Sequence, residues 1–373
     1  MHILKKHETN SKGILVVTHK EIQYLKSVLS DLKKKYYIIC HVGYNVPLPN
    51  DDFLSYIFCT KVKKRYSKHI EFTSRHFLNE CFNNEENIEI INEKFHAVLK
   101  LYNISLSEKD QNNQHDRYFD FICVSRVCKN KNPIQSLLYL KQYCESTNAN
   151  VCFILMYKEN QDEPYYNHII QIYNTMKHLN ILFIDTRKLN IQNKISVGGI
   201  PPHHLSYFYK KSKVYLHTCV NEGESRTIHE AMCCGCKILA HKNTRGGAID
   251  FINANNGKLY DSNNYLHMMK ESIDTFDYNV YDIEFNKQFM EKYTIEKLLS
   301  FLYHSLPGFS ETYEEFKQHC DCVNLTNKFP GHDLTVPWYI KGSPTSDIKT
   351  KIQLEIFMKS LNFCEMDTIN TNQ

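Results

Sequence analysis

The sequence contains no apolar run long enough to span a bilayer, and its first residues, MHILKKHETNSKG, carry no apolar segment of signal-peptide length. A soluble, cytoplasmic protein is expected. Charge imbalance is also small: Lys and Arg total 45 against 41 Asp and Glu, a net +4. That balance suits a protein handling an anionic small molecule without requiring one. It lacks the basic stripe of a dedicated nucleic-acid binder, so no nucleic-acid partner is expected. Internal repeats and low-complexity segments are absent, and 42% hydrophobic with 23% charged residues excludes wholesale disorder. Two CxxC pairs, the mark of a structural zinc site, are missing. The 14 cysteines sit largely inside apolar runs such as FICVSRVC and EAMCCGCKILA, where buried thiols of a reducing compartment belong. Cys233, Cys234 and Cys236 with Cys320 and Cys322 do not have metal-cluster spacing. No Asp-x-Asp pair follows a strand, so the carboxylates that hold a metal on a diphosphate are lacking too; neither metal nor cofactor is expected.

What is present is alternation. At 373 residues the chain exceeds one ordinary domain and suits two with a tail. GILVVTH (13–19) reads as a strand, KEIQYLKSVLSDLKKK as a helix and YYIICHVG (36–43) as a strand, the opening of a doubly wound sheet. Weaker strand candidates are 53–60, 69–74 and IEII at 88–91. The polar stretch 105–118 reads as a linker. The pattern then restarts: strands at 119–126, 151–157, 181–185, 213–219 and 236–241 alternate with helices, a parallel sheet with its ligand site beyond the strands' carboxyl ends. Residues 1–115, 116–305 and 306–373 are expected as a first domain, a second domain and an extension. The extension carries the single tryptophan, Trp338, and an apolar set at Ile348, Ile352, Ile356 and Leu361; it is expected to pack back on the first domain.

The most informative segment is VYLHTCVNEGESRTIHEAMCCGCKILAHKNTRGGAIDFINANNGKLY. A strand leads into a loop holding Glu222, and a helix carries Glu230 eight residues on. The first carboxylate then lies beside a helix N-terminus, whose free N–H groups and positive dipole end suit a phosphate. The second lies about two turns into that helix. Gly235 stops the helix; Gly246-Gly247 and Asn256-Gly257 follow later. This order resembles the donor-site signature of retaining GT-B glycosyltransferases, the family-four group in particular. The resemblance covers about 119–300 and implies two Rossmann-like α/β domains facing across a cleft. It implies transfer of a sugar from a nucleoside-diphosphate sugar to a hydroxyl acceptor, on a glycan, protein or lipid-linked carrier. Glu230 would bind the ribose and Glu222 would face the transferred sugar, with Gly223, Glu224 and Ser225 also at the donor.

A second constellation supports this. ICVSRVCKNKN resembles the family's strand ending in Gly-Arg, with a lysine five residues on; here these are Arg126 and Lys131, and Ser125 replaces the glycine. Fixed cations neutralise charge on a departing diphosphate without a metal. GGIPPHHLSYFYKKS resembles the loop near the nucleotide base, which makes Gly198, Gly199 and Ile200 candidate base contacts. The first domain fits poorly: it is short, and His19-Lys20 stands where a glycine-rich loop is usual. His19 and His41 end the first two strands and either face the cleft or are ordinary side chains. The basic run 61–65 touches acidic lipid or a diphosphate acceptor, or is a solvated face. One alternative is another GT-B activity, such as a sugar-nucleotide epimerase; the shortened first domain motivates the other, an inert sugar-nucleotide-binding scaffold.

Overall fold

The computed structural model describes residues 2–5, 10–18, 22, 29–42, 53–58, 80–83, 87–106, 117–157, 162–189, 199–222, 225–244, 247–276, 289, 291–306 and 308–315. The chain forms two compact units, one of 1–58, 62–77 and 295–373, the other of 59–61 and 78–294. The expected packing of the tail from about 330 lies outside the described residues.

The first unit holds strands β1 (His2–Lys5), β2 (Gly13–Thr18), β3 (Tyr36–Val42) and β4 (Ser55–Phe58), in that order across the sheet. β1 is antiparallel to β2, and the others run parallel. Helix α1 (Leu29–Lys35) lies between β2 and β3 in sequence and buries Leu29 and Leu32. On one sheet face Ile14 and Val16, two residues apart, join Ile39 in a cluster with Ile295, Leu298, Leu299, Leu302, Leu306 and Phe309. The last six come from the far end of the sequence. Four lie at helical spacing, within a helix over Glu291–Ser305.

The second unit begins with a correction. IEII at 88–91 is not a strand but the first turn of helix α2 (Ile88–Leu101), whose N-cap Asn87 side chain accepts from the Glu89 amide. Its stripe Ile91, Phe95, Val98 and Leu99 is buried, with Phe95 edge-on to Phe119 at 6.2 Å and Phe208 at 5.4 Å. Then follow β5 (Phe119–Arg126), α3 (Pro133–Thr147), β6 (Val151–Met156), α4 (Glu163–Asn174), β7 (Ile181–Asp185), α5 (Pro202–Lys210), β8 (Ser212–His217), α6 (Arg226–Cys233), β9 (Lys237–His241), β10 (Gly257–Tyr260) and α7 (Tyr265–Asp274); the helix over Glu291–Ser305, α8, belongs from Ile295 onward to the first unit. The six strands form one parallel sheet in the order β10-β9-β8-β5-β6-β7.

Both faces of this sheet are covered, so its strands are nearly continuous apolar runs. In β5, Ile122 and Val124 join one core cluster, with Phe208, Tyr215 and Ile228, while Phe121 and Cys123 join the other, with Leu137, Tyr143 and Leu216. The expected helix starts and stops have visible causes. Pro133 opens α3 behind a left-handed Asn132, Asp162 caps α4, and Gly235, at φ 80°, ends α6. Gly257 opens β10 where a Cβ would collide with the Ile238 carbonyl, which gives the Asn256-Gly257 turn its steric reason.

Candidate functional site

From β5 the sheet runs through β6 and β7 to one edge, and from β8 through β9 and β10 to the other. The strand order therefore reverses between β5 and β8, the place where a doubly wound sheet opens a crevice past its carboxyl ends. Arg126 ends β5 and His217 ends β8. The two loops that leave these strands are fastened together. The Ser136 hydroxyl meets that of Thr218 at 2.7 Å, and the Cys219 thiol donates to the Asn130 carbonyl at 2.8 Å. The Thr244 hydroxyl donates to the Cys219 carbonyl at 3.0 Å.

Across this switch point the Lys131 ammonium donates to Glu222 Oε2 in a close ion pair, both side chains partly buried. Burial alone raises the Glu222 pKa; the Lys131 charge and hydrogen bond outweigh it and carry the carboxyl below its usual range. Beneath the pair lies His217, 4% exposed. Burial pushes its pKa down to about 4, against the pull of Glu222. Its ring is hydrogen-bonded to the Cys219 backbone, and its Nε2 is buried with no hydrogen-bond partner among the described residues. Burial likewise pushes the Cys219 thiol up to about 12. Ligand atoms of His217, Cys219 and Glu222 all lie within 4.8 Å of one another, so these three side chains could hold a metal ion.

Arg126 is exposed at the strand end. Ser125, just before it, is buried, and its hydroxyl donates to the Arg126 carbonyl at 3.4 Å. Ser225 stands at the N-cap of α6 in a buried position; its hydroxyl caps no backbone amide of the helix but meets the Thr227 hydroxyl at 3.0 Å. Thr227 in turn accepts from the Tyr215 hydroxyl at 2.6 Å. Glu230 lies in the second turn of α6 and is 7% exposed. Arg226, one turn back, pairs with its Oε1 at 3.0 Å, and the Tyr209 hydroxyl approaches Oε2 at 3.5 Å. Gly199 has φ 139° and sits against the Met156 side chain, while Ile200 is 5% exposed and packs in the core. Gly223, Glu224, Gly198, Gly246, His19 and the run 61–65 lie outside the described residues. His41 is in β3, in register with Thr18 and Ile57.

Sequence reasoning missed His217, Cys219, Arg226 and Tyr209. For the first two the signal was present as His-x-Cys-x-x-Glu at the end of a strand. Arg226 precedes Glu230 at the i, i+4 spacing of a helical ion pair. Nothing local marks Tyr209.

Residues 106–276 match the family model of glycosyl transferases group 1. No curated protein matches the sequence. Among solved structures, a glycosyltransferase from Rickettsia africae ESF-5 is 15% identical, with 80% of this chain and 78% of that one covered at a TM-score of 0.55. The Anabaena protein HepE in complex with UDP and glucose is 13% identical, with 78% of each chain covered at a TM-score of 0.51. No described helix is long and apolar enough to cross a membrane. The fold is GT-B, and residues 106–276 resemble a domain of the glycosyl transferases group 1 family.

Proposed function

We propose that the protein is a retaining glycosyltransferase that moves a hexose-type sugar from a nucleoside-diphosphate donor to a hydroxyl acceptor without a metal. The observation that carries this reading is the Lys131–Glu222 pair at the switch point, beside exposed Arg126. With donor bound, Lys131 turns from Glu222 to the diphosphate, and Arg126 joins it. Their charges neutralise the oxygens of the departing nucleoside diphosphate. Glu222, released from Lys131, accepts hydrogen bonds from hydroxyls of the transferred sugar. Glu230 takes the ribose. The acceptor hydroxyl attacks from the face that the diphosphate leaves. UDP and glucose occupy the Anabaena structure, so uridine diphosphate is the first nucleotide to try. The acceptor is a glycan, a protein or a lipid-linked carrier met in the cytoplasm or at a membrane surface.

The test is turnover of labelled donors. Candidates come from thermal shift, where a ligand at a hundred times its dissociation constant adds about 2.7 kcal/mol. Sugar transfer that persists in EDTA is expected. Tight donor binding without turnover would identify an inert sugar-nucleotide-binding protein. Activity lost in EDTA and restored by Mn²⁺ would overturn the metal-free mechanism.

A further inference from the structure

We propose that His217, Cys219 and Glu222 form a site for a borderline-soft divalent cation, zinc in character, that competes with Lys131 for Glu222. The imidazole Nε2 of His217 is buried and has no hydrogen-bond partner among the described residues. Such an orphan is costly unless a ligand completes it. A ring nitrogen of His217, the Cys219 thiol and a Glu222 carboxylate oxygen all lie within 4.8 Å of one another. Ligands about 2.0–2.3 Å from a tetrahedral zinc lie about 3.3–3.8 Å apart, so the three atoms need draw in by no more than about 1.5 Å. Nitrogen, sulfur and one carboxylate oxygen are a zinc donor set rather than one for magnesium or calcium, and three protein ligands leave the fourth position open.

Charge decides what happens to Lys131. A thiolate and a carboxylate match a divalent cation, and Glu222 has no second negative charge to offer an ammonium. Binding therefore releases the thiol proton to solvent and frees Lys131 from the pair. If the transfer reading holds, zinc also removes Glu222 from the sugar and inhibits. That consequence rests on the proposed function; the binding itself does not.

The experiment uses the full chain, stripped with chelator and desalted, then titrated with Zn²⁺ by calorimetry and with Co²⁺ by absorption. His217→Ala, Cys219→Ser and Glu222→Gln should each weaken the tightest Zn²⁺ site roughly tenfold or more. Lys131→Ala should tighten it, because the competing ammonium is gone. The thiolate-to-cobalt band should vanish in Cys219→Ser. Melting of the metal-free variants establishes folding, and Glu222→Gln, which keeps the side-chain shape, serves if a core variant fails. Equal Zn²⁺ affinity across the folded variants, or weakening by Lys131→Ala, overturns the site. A site confirmed by these variants without inhibition by Zn²⁺ in an active enzyme overturns the competition at the reacting sugar. No turnover with any donor, with the site intact, counts against the transfer reading alone.

Discussion

Lys131 and Glu222 stand 91 residues apart and share one ion pair because β5 and β8 are neighbours in the sheet. Both residues could be singled out from the order of strand, loop and helix around them; their mutual contact could not. Arg126→Ala and Lys131→Ala should keep the fold and slow transfer about a hundred- to a thousandfold, the usual cost of removing one preorganised charge donor. Single-turnover rates with a labelled donor check this, and wild-type rates would place the diphosphate elsewhere. Glu230→Ala should weaken binding of the bare nucleotide more than Glu222→Ala does, while Glu222→Ala should lower turnover more than affinity; calorimetry giving the reverse order would exchange their roles. His217 was illegible, because its effect depends on burial that only the tertiary structure supplies. Its folded pKa of about 4 lies below the ordinary 6.5. Between those values the unfolded chain binds more protons, so stability rises with pH. The contribution is fully present above about pH 6.5 and is lost as pH falls towards 4, on the order of 3 kcal/mol in all. Glu222, with its pKa lowered from 4.5, loses its own contribution only below that value, which separates the two. Denaturation of wild type and His217→Leu at pH 7.5 and 4.5, in chelator, should show a steeper loss of stability in wild type; equal losses would count against the assignment.

At the scale of elements, β5 and β7 match the sequence reading to the residue, and β2 and β3 to within one. These strands are long and apolar, and turn residues bound them. IEII misled because four apolar or β-compatible residues fit a strand as well as a helix; only the stripe at 91, 95, 98 and 99 separates the two. β1 and β10 have four residues each, too few for periodicity to register, and GKLY follows an Asn-Asn that reads as a turn. Arg117, at the end of the polar stretch, shows how a linker residue can become part of the core. It is 5% exposed, and its guanidinium donates to the carbonyls of Tyr209, Ser212 and Cys234. It thereby joins the end of α5, the start of β8 and the end of α6. Arg117→Met keeps the stem but leaves those carbonyls short of a donor, a loss of about 3 kcal/mol. Guanidinium titration should show a lower midpoint with an unchanged slope; an unchanged midpoint would show that water replaces the guanidinium.

Over the whole molecule, the first unit is assembled from the two ends of the chain. Leu302, fully buried in α8 against Ile14, Val16 and Ile39, belongs to that assembly. Leu302→Ala should cost about 2–5 kcal/mol. The loss should show as faster amide exchange in β2 and β3 with β5 and β6 unchanged; equal acceleration in all four strands would mean that the two units unfold together. Order of synthesis gives this arrangement a further consequence. The second unit is nearly one unbroken stretch, whereas β2 to β4 leave the ribosome long before the residues of α8 that cover them. At about 5–20 residues per second, residues 59–294 take on the order of 10–50 s to be made. Throughout that interval the apolar face of Ile14, Val16 and Ile39 lacks its helix, so translation speed, and not intrinsic folding speed, sets how long the nascent chain needs shelter from aggregation.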